Sequence, residues 1–291
     1  MKSEKLVFFG NGPVAAASLR LLAQDFAIEA VVTKPKPPHH RGEVPVLAVA
    51  GGFKLPVLTA ANKQELDQLF DTKPVSSRLA ILKDFGIIVS QKVIDYFPLG
   101  IVNSHFSILP QWRGADPITF AVLSGQPKTG VSLMLLVKAM DEGPLLAFAQ
   151  YDMPPDLTTP KLTDELIKLS HDLLKKTVPK YIGGELQPVP QTTTKQPVSY
   201  SRKLVKADGI VDWRRSAEEI ERQVRAYLDW PKSPAKIFEH DIIITKARVA
   251  SDQNDGDLVM QCSESWLEIQ ELKAPSGRTM SGADFMRGYK A

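Results

Sequence analysis

Cysteine is almost absent from this sequence, since Cys262 is the only one among 291 residues. A single cysteine excludes disulfide bonds within the chain and metal clusters held by several thiolates. No apolar run reaches the roughly 20 residues that a membrane-spanning helix needs. Residues 1–5 lead directly into a short apolar run, too short for the core of a secretory signal. We therefore expect a cytoplasmic protein that does not associate with membranes.

A strong excess of one charge is also absent, because the formal net charge is only +3. Residues 195–248 hold twelve Lys or Arg against eight Asp or Glu, a balance of +4, whereas residues 249–291 hold four against seven, a balance of −3. The more basic segment could hold a polyanion, although a solvated surface of mixed charge explains it equally well. The hydrophobic fraction of 43% is ordinary for a globular protein, and the length is sufficient for two domains.

Apolar runs with strand-like composition alternate with helical patterns through the first two thirds of the chain. Such alternation predicts an α/β domain with a Rossmann-like, largely parallel sheet and helices on both faces. The predicted strands include Leu6–Phe9, Ile28–Val32, Gly86–Ser90, Leu99–Val102 and Leu145–Tyr151. A proline- and threonine-rich stretch from Gln187 to Pro197 interrupts the pattern and predicts a linker. We therefore predict a first domain over 1–187, a linker over 188–200 and a second domain over 201–291.

Short strand-like runs separated by turns follow the linker. Ser216 and Glu219 have the spacing of a capping box and predict the start of a helix that runs through Leu228. The spacing of the later runs predicts a small β-barrel, of which an oligonucleotide-binding (OB) fold is one example.

A glycine-rich turn follows the first predicted strand. Gly10-Asn11-Gly12-Pro13-Val14-Ala15 has the form of a dinucleotide-binding fingerprint. A nicotinamide site also needs an acidic residue at the end of the second strand. That strand ends in Thr33-Lys34, so the indication of dinucleotide binding is weak.

Polar side chains gather at the end of the strand that begins at Leu99. Asn103 and His105 are two residues apart, so they point the same way, and Asp141 follows the strand-like run from Gly130 to Val137. An amide donor and an imidazole can polarise a carbonyl and move a proton, while a carboxylate can orient and stabilise the imidazolium. From chemistry alone, a satisfied core histidine and an aspartate in a turn remain an alternative.

The surrounding motif resembles the formyltetrahydrofolate-dependent formyltransferases. Their signature is N-x-H-x-S-[IL]-L-P-x-[WY]-R-G, followed some thirty residues later by D-x-G, and this sequence matches it at Asn103, His105, Ser107–Pro110, Trp112–Gly114 and Asp141–Gly143. The resemblance implies that Asn103, His105 and Asp141 are catalytic. It implies that Ser107, Ile108, Leu109 and Pro110 form a wall of the folate site.

The C-terminal part resembles the methionyl-tRNA formyltransferases within that superfamily, at Tyr200–Leu204, Ile210–Trp213, Arg225–Pro231 and Gly277–Ser281. This resemblance implies transfer of the formyl group from 10-formyltetrahydrofolate to the α-amine of methionyl initiator tRNA, with no metal. Asn103 and a protonated His105 would stabilise the oxyanion, and Asp141 would keep His105 charged. Arg41, in an Arg-Gly pair of the loop after the second strand, would contact the tRNA acceptor end. We expect a monomer.

One departure from the family is expected after the predicted strand Gly86–Ser90. The family continues there with an aromatic-glycine loop that closes with proline and helps to line the pterin pocket, whereas this chain runs from Ser90 directly into Gln91-Lys92. A missing loop would open the pocket and weaken folate binding.

Three alternatives to this function remain: a formyltransferase acting on an amino-sugar nucleotide or another small amine, a nicotinamide-dependent oxidoreductase, and a non-catalytic RNA-binding protein.

Overall fold

The computed structural model describes residues 4–39, 41–194 and 196–289, and the chain divides into two compact units. The first consists of Met1–Gly114, Thr129–Tyr151 and Asp164–Tyr200, and the second of Ala115–Lys128, Asp152–Thr163 and Ser201–Ala291, each over its described residues. The predicted linker over 188–200 therefore falls in the first unit. Two segments that precede it in sequence fall in the second unit.

A seven-stranded sheet organises the N-terminal half, with the order β3-β2-β1-β4-β5-β7-β8. The pairs β1–β2, β2–β3, β1–β4 and β4–β5 are parallel, and β5–β7 is antiparallel. The prediction of a largely parallel α/β sheet is confirmed. The seven strands are β1 (Lys5–Gly10), β2 (Ala27–Thr33), β3 (Val57–Thr59), β4 (Leu79–Lys83), β5 (Ile101–His105), β7 (Lys128–Leu135) and β8 (Leu145–Asp152), and the two-residue strand β6 (Arg113–Gly114) lies outside this sheet.

Helices connect these strands where the sequence supplies start signals. Asn62 accepts a hydrogen bond from the backbone N–H of Glu65 at the start of α3, and Pro117 occupies the first turn of α5. The helices are α1 (Gly12–Asp25), α2 (Pro45–Gly52), α3 (Lys63–Thr72), α4 (Gln91–Asp95), α5 (Pro117–Ser124) and α6 (Thr159–Ile182).

Aromatic side chains form much of the core on one side of the sheet. The ring of Phe9 on β1 contacts the rings of Phe70, Phe85 and Phe97 at centroid distances of 6.1, 5.4 and 5.9 Å. All four phenylalanines are buried. This cluster fixes the segment around Phe85, which follows β4, against the sheet that carries the polar site.

The prediction of a strand at Gly86–Ser90 is wrong. The structure places the strand at Leu79–Lys83 (β4), and residues 84–90 form a loop. Two positive φ angles, 45° at Asp84 and 68° at Gly86, end the extended conformation, and Ile88 is 77% exposed. The aromatic-glycine pair Phe85-Gly86 belongs to this loop. The aromatic-glycine loop that we expected to be missing, from the family resemblance, is therefore present. Ser90 then caps α4.

Antiparallel strands form the sheet of the second unit, with the order β10-β11-β13-β12 and with β14 paired to β13. The predicted capping box is confirmed, since the backbone N–H groups and side chains of Ser216 and Glu219 bond reciprocally at 3.2 Å. The prediction of a small C-terminal β domain is confirmed. The elements are β9 (Tyr200–Ser201), α7 (Ala217–Ala226), β10 (Ser233–Ile237), β11 (His240–Ala250), β12 (Val259–Gln261), β13 (Trp266–Lys273), β14 (Thr279–Ser281) and α8 (Gly282–Tyr289).

The described residues of the segment predicted as a linker include several that are ordered against the first unit. Val189 exchanges two backbone hydrogen bonds with Leu145 at 2.7 and 2.8 Å, and Gln191–Thr193 form a short 3-10 helix. Gln191 is only 5% exposed. Composition alone indicated a linker because prolines and threonines lack helical periodicity, whereas Val189 of this segment pairs with the sheet-edge residue Leu145. Among the described residues, no helix is both long enough and apolar enough to cross a membrane.

Candidate functional site

The carboxyl end of β5 carries two of the predicted site residues. Asn103 and His105 alternate with Ser104 along the strand and are 8% and 6% exposed. Because the neighbouring strand β4 is parallel, its carboxyl end lies at the same edge of the sheet. Open α/β sheets bind ligands at this edge.

Asp141 joins these two residues through a direct set of contacts. The Nδ2 of Asn103 donates to Oδ1 of Asp141 at 3.3 Å, and the Nδ1 of His105 lies 3.7 Å from Oδ2. The backbone N–H of Gly114 also donates to Oδ2, at 2.8 Å. The structure therefore brings the three predicted side chains together, although Asp141 is 36 residues from His105 in sequence.

The turn of Asp141 depends on the glycine two residues later. Asp141 has a φ of 53°, a left-handed conformation that aspartate tolerates better than most residues. A Cβ added at Gly143 would lie 1.7 Å from the backbone oxygen of Leu135. The D-x-G part of the motif is thus a requirement of close backbone packing against the end of β7.

His105 has an acceptor near each ring nitrogen. Its Nε2 lies 2.9 Å from the backbone oxygen of Trp112, which can only accept, so Nε2 carries a proton. Asp141 faces Nδ1. This is the hydrogen-bonding arrangement that suits an imidazolium.

Burial nevertheless lowers the pKa of His105 below its ordinary value, while the carboxylate of Asp141 opposes that shift and the ammonium of Lys83 adds to it. This lowered pKa favours the neutral ring before substrate binds, whereas the family resemblance implied a protonated His105. A neutral ring can take up a proton, and the resulting cation finds its acceptors already in place.

Removing the charge of Asp141 should lower the pKa of His105 further. In Asp141→Asn the ring loses the carboxylate that favours its charged form, and the buried environment remains. We expect the ¹⁵N chemical shifts of the His105 ring to titrate at a lower pH than in the parent protein, and both to titrate below the ordinary value of about 6.5. An equal or higher pKa in Asp141→Asn would show that the two groups are not coupled.

Lys83 is a buried cation that the sequence analysis missed. Its Nζ donates to the backbone oxygen of Ser104 at 2.6 Å and lies 2.7 Å from the ring centre of Phe106. Lys83 is 5% exposed, and burial lowers its pKa well below the usual range. The signal available in sequence was a lysine at the end of the otherwise apolar run Leu79–Leu82.

The turn predicted to contact folate is largely closed. Ser107 and Leu109 are completely buried, and Ile108 is 7% exposed. The hydroxyl of Ser132 donates to the backbone oxygen of Ser107 and accepts from the N–H of Leu109. The Ser107–Pro110 segment therefore shapes the turn after β5, and the side chains of Ser107 and Leu109 are not available to a ligand.

Exposed apolar side chains lie instead on two loops, one that follows β4 and one that precedes Asp141. Ile88 is 77% exposed in the loop after β4, and Met140, directly before Asp141, is 72% exposed. Their loop neighbours Ile87, Val89 and Leu136 pack against a common core cluster. Apolar surface of this kind beside polar side chains is typical of a binding pocket.

The glycine-rich turn after β1 has a packing explanation. A Cβ at Gly10 would lie 2.5 Å from the ring of Phe8 and 2.7 Å from the Cβ of Ala15, so glycine permits α1 to approach β1. The N–H of Asn11 donates to the backbone oxygen of Asp84, which ties this turn to the loop after β4.

Arg41, the residue predicted to contact the tRNA acceptor end, is exposed in the loop between β2 and α2. The described residues contain no group of three or more His, Cys, Asp and Glu arranged to hold a metal.

Comparison with known proteins gives matches over both units. Residues 5–178 match the family described as formyl transferase, and residues 203–290 match the formyl transferase C-terminal domain. A methionyl-tRNA formyltransferase of Chloroflexus aurantiacus is 34% identical over 99% of this chain and 97% of the relative. Another, of Nitratidesulfovibrio vulgaris, is 37% identical over 98% of this chain and 93% of the relative.

Solved structures of similar fold are more distant in sequence. An N-formyltransferase of Helicobacter canadensis, in complex with folinic acid and dTDP-3-aminofucose, gives a TM-score of 0.67 at 17% identity, over 95% of this chain and 97% of that one. HypX of Aquifex aeolicus in complex with tetrahydrofolic acid gives 0.65 at 13% identity, over 99% of this chain and 48% of that one. At such identities the likeness concerns the fold alone.

Proposed function

The chain belongs to the formyl transferase family, and we infer that it transfers the formyl group of 10-formyltetrahydrofolate to the α-amine of methionyl initiator tRNA. The observation that carries this proposal is the convergence of Asn103, His105 and Asp141 at the carboxyl end of β5. Relatives named methionyl-tRNA formyltransferase match over nearly their whole length, including the C-terminal domain. This favours a tRNA-linked amine over a sugar nucleotide as the acceptor.

Asn103 is the group best suited to stabilise the developing oxyanion. Attack of the neutral amine on the formyl carbon forms a C–N bond and moves negative charge to the formyl oxygen. A buried amide N–H held in place before the reaction stabilises that charge strongly, because few waters compete for it. Asn103 is 8% exposed, and its amide is oriented by Asp141. No enzyme nucleophile is needed, since the substrate amine attacks directly.

The pair of His105 and Asp141 is suited to take up the proton that the amine loses. The ring of His105 starts neutral and becomes an imidazolium, whose two N–H groups face Trp112 and Asp141. The bond between the formyl carbon and the folate nitrogen then breaks, and that nitrogen gains a proton. The amine loses one proton and the folate nitrogen gains one, so the reaction as a whole neither releases nor consumes a proton. The pair of His105 and Asp141 therefore needs to hold only one proton between the two steps.

The apolar loops beside the trio are suited to the pterin ring of the folate. Ile88 on the loop after β4 and Met140 directly before Asp141 have exposed apolar side chains. Because the aromatic-glycine loop is present, the expectation of weakened folate binding loses its basis. The backbone around Ile108 can contribute to the same site.

Replacing Ile88 with Ser should weaken folinic acid binding by about tenfold, because the apolar area that the pterin covers is lost. Calorimetric titration measures the affinity, and turnover at saturating folate should change little. The control is Val205→Ser, which removes an equally apolar side chain, 54% exposed, from the second unit. Equal affinities for the two variants would remove the loop after β4 from the folate site.

The second unit, together with Arg41, is proposed to hold the tRNA. Several of its lysines and arginines are exposed, and phosphate contacts dominate the affinity of nucleic-acid binding. Arg41 lies outside that unit and supplies one further cation. A single cation cannot hold a whole tRNA, so the larger share is assigned to the second unit.

Single-turnover assays test the donor and the reaction together. The intact protein is mixed with 10-formyltetrahydrofolate and charged initiator tRNA, and both tetrahydrofolate and formylmethionyl-tRNA are measured. We expect equal amounts of the two products. Tetrahydrofolate without formylated tRNA would indicate hydrolysis, and binding of tRNA without either product would indicate a non-catalytic protein.

A further inference from the structure

Gln191, from the segment expected to be a flexible linker, is buried beside the catalytic trio. The residue lies 50 positions from Asp141 and 78 from Arg113, yet its side-chain amide bonds to both segments. It is 5% exposed. A flexible tether gains nothing from burying a polar amide, because burial costs free energy unless each polar atom is paired.

Every hydrogen-bonding position of this amide is used. The Nε2 of Gln191 donates to the backbone oxygens of Asp141 and Gly143, at 2.7 and 2.9 Å. Its Oε1 accepts from Nη2 and Nε of Arg113, at 2.7 and 3.2 Å. The pairing fixes the orientation of the amide, since carbonyl oxygens need the NH₂ end and the guanidinium needs the oxygen.

These bonds join the two turns that surround His105. One turn carries Asp141, which faces Nδ1, and the other carries Trp112, whose oxygen accepts from Nε2. Arg113 adds an ion pair with Glu142 at 3.2 Å, so the same two turns are tied a second time.

The same segment also holds the second acceptor. Ser199 accepts from the N–H of Trp112 through Oγ at 3.0 Å, and from the N–H of Arg113 through its backbone oxygen at 3.0 Å. Both acceptors of the His105 ring are therefore supported by residues that follow Gln187 in sequence.

We propose that Gln191 is a positioning residue that holds the turn of Asp141 so that its carboxylate faces His105 and the Gly114 N–H, with Ser199 holding the turn of Trp112 in the same way. The left-handed φ of 53° at Asp141 needs such support from its surroundings. The proposal rests on the proposed function for its effect on turnover. A chain that ends near Gln187 would lack both Gln191 and Ser199.

Two substitutions test the donor and acceptor ends of the Gln191 side-chain amide separately. Gln191→Leu removes all four hydrogen bonds, whereas Gln191→Glu keeps acceptors for Arg113 and places an oxygen against the backbone oxygens of Asp141 and Gly143. Both should lower kcat for formylation roughly ten- to hundredfold, as expected when a catalytic group is displaced by about 1 Å. The KM values for folate and tRNA should change less than threefold. Gln196→Leu is the matched control, since Gln196 is exposed in the same segment, and its kcat should equal that of the parent protein.

A second readout does not depend on activity. The charged groups that act on His105 are Asp141, which raises its pKa, and Lys83, which lowers it; Trp112 contributes only its backbone oxygen. If Asp141 turns away, the pKa of His105 falls toward the value in Asp141→Asn. A looser packing around the ring would instead reduce its burial and raise that pKa, so the direction of the change distinguishes the two causes. Because Lys83 is held by Ser104, away from Gln191, its effect should be common to all variants.

The measurements are kcat, KM and the ¹⁵N titration of His105 in the parent protein and the variants. Lowered kcat in both variants, with a lowered pKa of His105 in Gln191→Leu, which adds no charge, supports the proposal. A parent-like kcat in either folded variant, or a parent-like or raised pKa in folded Gln191→Leu, overturns it. If thermal unfolding shows that these two are not folded, Gln191→Asn, which keeps a shorter amide, decides by the same criteria. A parent protein without formylation activity would instead refute the proposed function, while the titration would still judge the role of Gln191.

Discussion

His105→Ala should lower the turnover of formylmethionyl-tRNA synthesis by about a hundredfold or more. The substitution removes the group that takes up the amine proton, and loss of such a group costs roughly 10² to 10⁴ in rate. It also leaves Asp141 and the backbone oxygen of Trp112 without their shared partner. The KM values should change much less than kcat, because His105 is 6% exposed and offers little surface for binding.

A matched control for this experiment lies elsewhere in the first unit. The Nε2 of His171 on α6 pairs with Asp25 at 2.7 Å, so His171→Ala also breaks a histidine–aspartate pair. That variant should keep turnover within about threefold of the parent, since positions remote from the reacting atoms contribute mainly to stability. Near-parental turnover of His105→Ala would remove His105 from the mechanism, and equal losses in both variants would indicate a general effect on the fold.

The other large effect is expected on the affinity for tRNA, when three exposed lysines of the second unit are replaced. Replacing Lys203, Lys206 and Lys232 together with Gln should lower the affinity for initiator tRNA at least tenfold at about 0.1 M salt. Each phosphate contact contributes about 0.7 to 0.9 to the dependence of log K on log salt, so the slope should fall by roughly 2 to 3. Binding of folinic acid should be unchanged, because the folate site is assigned to the first unit. Filter binding across a salt series measures both quantities.

The control for this prediction removes the same charge from the first unit. Lys54, Lys73 and Lys180 are exposed there, and their replacement with Gln changes the net charge by the same amount. We expect this triple variant to keep the salt slope of the parent protein and nearly all of its affinity. Equal losses in the two triple variants would show that tRNA responds to net charge, and would refute the assignment of tRNA binding to the second unit.

Local patterns were sufficient to predict part of the site. Asn103 and His105 follow an apolar, β-branched run at a spacing of two, and a strand places such residues on one face at its end. Chemistry made Asp141 a candidate partner of His105, but the family motif was needed to decide against a simple turn residue, because nothing in its own surroundings in sequence indicates which strand it will meet. The capping box at Ser216 and Glu219 is local as well, and it was predicted correctly.

Contacts made by the backbone or across long sequence separations could not be predicted. The oxygen of Trp112 that meets His105 belongs to the main chain, which every residue has. Gln191 lies in a stretch whose composition is typical of linkers, and its burial depends on turns 50 and 78 residues away. Lys83 is another case, since a lysine that ends a strand is usually exposed.

The misplaced strand has a similar physical origin. The runs Leu79–Leu82 and Ile87–Val89 are both short and apolar, so composition does not distinguish them. Pairing decides in favour of the first, whose residues Leu79, Ala80 and Ile81 align with Leu6, Val7 and Phe8 of β1. The second run is left as a loop whose exposed apolar side chain belongs to the proposed folate site.

The central claim is that methionyl initiator tRNA accepts the formyl group. A comparison of formyl transfer to two acceptors tests this claim most directly. The intact protein receives 10-formyltetrahydrofolate with either methionyl initiator tRNA or a dTDP-linked amino sugar, and kcat/KM is measured for each. We predict a kcat/KM for the tRNA that is higher by at least a thousandfold, and no formylation of the sugar above background. Efficient formylation of the amino sugar with no formylation of the tRNA would contradict the account.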